Sequence, residues 1–128
     1  MIEFVVPVSP EIIMTLRNDF ERGLIDGWNP DGSPIRYNTR ALVDRFEGLK
    51  VEIFANDHPP PHFRVKYQDS TANFRISDCH RMNGKGKILR YQRNIEFWWG
   101  QNKQKLISEW NARRPSGCPV GEYRESAI

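Results

Sequence analysis

Leu49-Lys50-Val51-Glu52-Ile53-Phe54-Ala55, His62-Phe63-Arg64-Val65-Lys66-Tyr67 and Thr71-Ala72-Asn73-Phe74-Arg75-Ile76 are three alternating segments within one 28-residue stretch, 49–76. In the first, Val51, Ile53 and Ala55 fall on one side and Lys50, Glu52 and Phe54 on the other. In the second, Phe63, Val65 and Tyr67 oppose His62, Arg64 and Lys66; in the third, Ala72, Phe74 and Ile76 oppose Thr71, Asn73 and Arg75. Side chains of a strand point to opposite faces with period 2, so this pattern predicts a three-stranded antiparallel sheet with one buried face. Asp69-Ser70 is short enough to serve as a hairpin connection between the last two strands.

Downstream the period changes. After Asn83-Gly84-Lys85-Gly86, read as a flexible basic loop, Ile88, Tyr91, Ile95, Trp98 and Trp99 recur at helical spacing. Gly100-Gln101-Asn102 is expected to interrupt that helix, and Leu106, Ile107 and Trp110 to face inward from a second one. A helical pair on the apolar face of a sheet is a two-layer α+β solution. Beyond Pro115, Gly117, Pro119 and Gly121 predict an extended tail that adds little stability. Upstream, Ile2–Val6 suits a short strand, and Ser9-Pro10-Glu11 opens a helix that runs through Leu16 and Phe20 to a stop at Gly23. The segment Asp26–Asn38, with Gly27, Pro30, Asp31-Gly32 and Pro34, reads as a turn-rich connection. The expected organisation is therefore an N-terminal extension (1–42, strand plus helix), a domain (43–114) and a flexible tail (115–128).

A chain of 128 residues suits one hydrophobic core. Its two cysteines, Cys79 and Cys118, fit neither a disulfide framework nor a zinc spacing, which points to a reducing, cytoplasmic setting. Glu3 and Pro7 break the first apolar run, so neither a signal peptide nor a membrane span is expected. The formal net charge of +3 is unevenly spread. Residues 1–44 hold 4 Lys/Arg against 7 Asp/Glu, residues 45–114 hold 14 against 7, and residues 115–128 hold 1 against 2. A basic middle favours an anionic partner.

The loop between the first two strands, Asn56-Asp57-His58-Pro59-Pro60-Pro61-His62-Phe63-Arg64-Val65, together with Arg45-Phe46, Gly48 and Ser108-Glu109-Trp110, resembles the bacterial domain of unknown function 4160 family over residues 43–114. The resemblance implies a strand, a histidine–proline loop, a hairpin and a closing helical pair ending in a turn at Glu109-Trp110. Members are small accessory proteins often encoded beside a second small protein, in arrangements like toxin–antitoxin pairs, so it also implies a protein partner and a mobile-element setting. It implies no activity. The family's usual third histidine is replaced here by Arg64.

Consecutive prolines favour polyproline II, which at about 3.1 Å per residue sets the Cα atoms of His58 and His62 about 12 Å apart. That separation is too wide for easy joint ligation, so no metal and no cofactor is expected. Asn56 and Asp57 suit a turn stiffened by the prolines. His62 shares its strand face with Arg64 and Lys66, and the neighbouring strands add Phe54, Lys50, Asn73 and Arg75. An aromatic among cations fits single-stranded nucleic acid or a docked protein, while pairing of Glu52 with Arg64 or Arg75 would leave the face merely solvated. Asn83–Lys87 lacks the spacing and hydroxyl of a phosphate loop, and Cys79-His80 has no third residue to orient a nucleophile. The leading expectation is a non-enzymatic binding module contacting a small partner protein, RNA or DNA through Phe54, Asp57, His58, His62, Arg64, Lys66 and Arg75. The second is a toxin-like enzyme acting on RNA, with His58, His62 and Arg64 as catalytic candidates. The third is a structural subunit of a larger complex.

Overall fold

The computed structural model describes residues 2–37, 45–56 and 60–124. In chain order these form β1 (Phe4–Pro7), α1 (Pro10–Glu21), β2 (Ile25–Trp28), β3 (Pro34–Arg36), β4 (Lys50–Ala55), β5 (His62–Tyr67), β6 (Ser70–Arg75), β7 (Arg81–Lys85), a 3₁₀ turn (Lys87–Tyr91) and α2 (Gln92–Arg113). The architecture is α+β, with an antiparallel sheet in the order β1-β4-β5-β6-β7 and a separate β2–β3 hairpin. The alternating segments are β4, β5 and β6, in the register Ile53↔Phe63↔Phe74 and Val51↔Val65↔Ala72, with all six side chains buried. Gln68 and Asp69 make the β5–β6 turn, Gln68 at φ 54°.

The sheet has five strands rather than the expected three. At one edge β1, from the expected N-terminal extension, joins it, Val6 opposite Ile53. At the other edge Arg81–Lys85, which takes in Asn83-Gly84-Lys85 of the expected flexible basic loop, is a strand. All five of its residues are exposed, and a strand with no buried face carries no hydrophobic alternation to read. Its glycine has a steric reason: a Cβ on Gly84 would stand 2.6 Å from Leu89 Cδ2 and 3.0 Å from Thr71 O. The turn-rich segment is also a hairpin, closed by Asn29 N donating to Ser33 O at 2.8 Å.

The expected helical pair is one 22-residue helix preceded by the 3₁₀ turn. Gly100 sits inside it, a cost of about 1 kcal/mol relative to alanine. Burial of Ile95, Trp98, Leu106, Ile107 and Trp110 along the same helix outweighs that, since each large apolar side chain contributes about 1.5–3 kcal/mol. Asn102 donates to Trp98 O at 2.9 Å within the helix, and Glu109-Trp110 are helical rather than part of a turn.

Helix α2 also fixes the N-terminal segment. Asn94, fully buried, donates to Asp19 Oδ1 (2.9 Å) and Gly23 O (3.0 Å) and accepts from Ile25 N (2.9 Å). Asp19 is paired with Arg36 at 2.7 Å. Trp98 Nε1 donates to Thr15 Oγ1 at 2.8 Å. Ser9 takes the N-cap position of α1 with no side-chain cap; instead its N–H donates to Glu109 Oε1 at 2.8 Å, setting a carboxylate at the helix N-terminus.

The tail docks, contrary to expectation, at least through residue 124. Val120 is buried in the core, Trp110 Nε1 donates to Gly121 O (3.1 Å), and Asn111 exchanges two hydrogen bonds with the Tyr123 backbone. Its Gly and Pro content conceals this because one valine and the polar groups of α2 hold it. Truncation after Arg114 is expected to lower the unfolding free energy by about 2–4 kcal/mol, from one buried valine and the hydrogen bonds left open on α2. Urea denaturation of the full and shortened chains checks this; a change below about 0.5 kcal/mol, the range of a neutral surface change, contradicts it.

Candidate functional site

The core lies on one face of the sheet, where α1, the 3₁₀ turn and α2 contribute buried residues to a single cluster. The other face remains open, and its register aligns three rows of directly opposed residues. They are Val5–Phe54–His62–Arg75, Pro7–Glu52–Arg64–Asn73–Asn83 and Lys50–Lys66–Thr71–Lys85. Phe54, His62, Arg64, Lys66 and Arg75 are thus brought onto one surface. Asp57 and His58 lie outside the described residues.

Arg64 is the most constrained of these. Its guanidinium lies over the Phe54 ring, Cζ 4.2 Å from the centroid. Nη1 and Nη2 donate to the two carboxylate oxygens of Glu3 at 3.0 and 2.8 Å, and Nε donates to Asn73 Oδ1 at 3.0 Å. Asn73 in turn donates to Asn83 Oδ1. The fork from Arg64 holds the Glu3 carboxyl below its ordinary range, and the same pairing raises the guanidinium pKa. Phe54 is consequently only 5% exposed although it belongs to the open face. Glu52 Oε1 stands 3.7 Å from Arg64 and 3.6 Å from Lys66, beyond hydrogen-bond length, so the predicted Glu52–Arg64 pairing is the looser of Arg64's two.

His62 sits beside Phe54, ring centroids 5.4 Å apart, with Nδ1 buried and without a hydrogen-bond partner among the described residues. Burial, then the charge of Arg75, pushes its pKa below 6.5. Arg75 is turned toward Asp78, which accepts from its Nε at 3.0 Å and also from His80 N at 3.0 Å. Lys50 and Lys85 are exposed and have no ion-pair partner among the described residues.

Glu3 and Lys85 are parts of this surface that sequence reasoning missed. Each lies in a segment not recognised as belonging to the sheet, and register alone brings it here. Beside Arg75, its partner Asp78 lines a cleft of about 350 Å³ together with Cys79, His80, Arg81, Gln92, Glu96 and Trp99. Burial, reinforced by Glu96 and Asp78, pushes the Cys79 thiol far up and keeps it protonated and inert. Among the described residues, no group of three or more His, Cys, Asp or Glu is arranged to hold a metal ion, and no helix is long and apolar enough to cross a membrane.

The displaced imidazole has a consequence for stability. A folded-state pKa below the unfolded 6.5 means that the unfolded chain takes up the proton first. The contribution of His62 is therefore fully present above 6.5 and is lost as the pH falls through its folded value. Glu3 acts with the same sign, but its loss begins only as the pH drops below 4.5, whereas that of His62 begins at 6.5. In urea titrations between about pH 7 and 5, His62→Gln is expected to reduce the fall in stability. An unchanged slope would show that the imidazole titrates alike in both states.

The open face is framed by β4, β5, β6 and β7, and the family model described as "Domain of unknown function (DUF4160)" matches residues 48–111, which contain those four strands and most of α2. Comparisons with curated proteins and with solved structures each returned no match. The match covers half of the 128 residues, and the histidine–proline loop, the hairpin and the helix all fall inside it: the chain belongs to the DUF4160 family.

Proposed function

We propose that this protein is a non-enzymatic binding module whose open sheet face docks an acidic partner protein, in the manner of one member of a toxin–antitoxin-like pair. The observation that carries this reading is the row Lys50–Lys66–Thr71–Lys85, which crosses four strands and contains no acid. Like charges directly opposed across strands are destabilising, as Lys50 and Lys66 are here, and the cost is relieved when an anion settles between them. A protein is favoured over nucleic acid because Phe54 is not free to stack on a base: the guanidinium of Arg64 already lies over it. What the face offers is charge without a stacking platform, which suits carboxylates on another protein.

Polyglutamate and a short single-stranded RNA are suitable probes, each titrated at two salt concentrations. Polyglutamate should bind, and Lys50→Gln with Lys85→Gln should weaken it by roughly tenfold, about 0.7 kcal/mol per exposed charge. If RNA binds instead, with a salt slope that falls by about 0.7 for each lysine removed, the acidic-protein reading is overturned in favour of nucleic acid.

A second reading is favoured by one observation, the unpartnered Nδ1 of a neutral His62 beside Arg64. That arrangement suits a general base acting on RNA. RNA cleavage by the purified protein that disappears in His62→Gln would establish it, and cleavage unaffected by that change would exclude His62.

A further inference from the structure

Arg64, in the second row of the open face, is liganded by a residue 61 positions away as though by an external anion. Arg64 offers its two terminal nitrogens in the parallel fork that recognises planar oxyanions, and both are taken by one carboxylate at 3.0 and 2.8 Å. The guanidinium is held from the other directions as well. Asn73 fixes Nε, Asn83 fixes Asn73, and the Phe54 ring supports the plane from below. An arginine positioned in this way by Asn73 and Phe54 is pre-organised, and the entropy that a mobile side chain would lose on binding is already spent.

The occupant is held less firmly. The Glu3 side chain is 37% exposed and lies just before the first strand of the sheet, beside Ile2, which is 69% exposed. Among the described residues, both hydrogen bonds that the Glu3 carboxylate accepts come from Arg64.

We infer that Arg64 is the centre of an oxyanion-binding site, for a carboxylate or a phosphate, and that Glu3 is its internal occupant, displaced when the external group binds. The site lies between Phe54, His62 and Asn73, one row from the lysines, so the inference rests on the reading of this face as a binding surface and names the group it would grip. The internal carboxylate makes an external anion compete for the fork. If Glu3 occupies Arg64 about nine-tenths of the time, the apparent affinity for an external oxyanion is about tenfold weaker than the site's own. Loss of Glu3's charge removes that competition without touching the arginine.

The test follows the backbone amide signals of residues 64 and 73, which every variant retains, in the full-length protein during titration with inorganic phosphate and, separately, with acetate. The wild type should respond weakly. Glu3→Gln and Glu3→Ala should each raise the affinity about tenfold, and Arg64→Lys introduced beside Glu3→Gln should abolish the gain, because an ammonium has no fork. The backbone amide spectrum of β1 and β4 checks that each variant keeps its fold, and the two Glu3 variants guard against one of them failing. A gain with either anion supports the site, and the stronger of the two assigns its preference. Affinities within twofold of the wild type in both Glu3 variants, or a gain that survives Arg64→Lys, overturn it. The lysine row is intact in every variant titrated, so failure here leaves the docking reading standing, and failure of docking leaves this result standing.

Discussion

Asn94 is fully buried in the first turn of α2, and its amide makes three hydrogen bonds to three different places in the N-terminal segment: a carboxylate in α1, a carbonyl just after α1 and an N–H at the start of β2. An amide offers two donors and an oxygen with two lone pairs, so most of its capacity is used here. Any of these partners left unpaired in the interior would cost about 1–3 kcal/mol. The carboxylate of Asp19 is itself compensated by the part-buried Arg36 from β3, and removing Arg36 would leave a buried carboxylate without its cation. The arrangement therefore acts as a registration device. Helix α1 and the β2–β3 hairpin have one seat on α2, and with α1 seated, β1 is delivered to the edge of β4. From there Glu3 reaches Arg64, so the geometry of the open face depends on a polar contact on the far side of the sheet.

How much of this was legible in the sequence depended on whether a residue's surroundings left a periodic trace. The strands β4, β5 and β6 have one face in the core and one in solvent, so their alternation was readable residue by residue, and Phe63, Val65 and Phe74 fell where expected. Strand β7 has neither face buried and left no trace. Helix α2 was legible as helical but not as continuous, because Gly100 and Asn102 are poor helix formers in isolation and the packing of Trp98 and Trp110 overrides them. Docking of the tail depends on Val120 and on two side chains of α2, a dependence no local window contains.

The same limit applied at the candidate site. His62, Arg64, Lys66 and Arg75 were placed on one face by period 2 within their own strands. Their electrostatic states were set by residues elsewhere: Glu3 across the sheet for Arg64, Asp78 in the next turn for Arg75. Phe54 shows the difference most clearly. Alternation put it on the solvent side, which is where its backbone lies, yet its ring is covered by a guanidinium that only register brings there. A cationic face read from sequence becomes, in three dimensions, a face where Arg64 and Arg75 are neutralised locally while Lys50 and Lys85 have no ion-pair partner among the described residues.

The hydrogen bond from the Ser9 N–H to Glu109 joins residues 100 positions apart, and it bears on how the chain is made. Ribosomes add about 5–20 residues per second, so Ser9 waits on the order of 5–20 s for its partner to be synthesised. Throughout that interval β1 has no anchored helix beside it. Strands β4, β5, β6 and β7, close together in sequence, can pair as soon as they emerge, leaving the outer edge of β4 bare. Strand β1, although it precedes β4 in the chain, is thus the last to be locked into the sheet, and until then a ready template for a foreign strand is exposed.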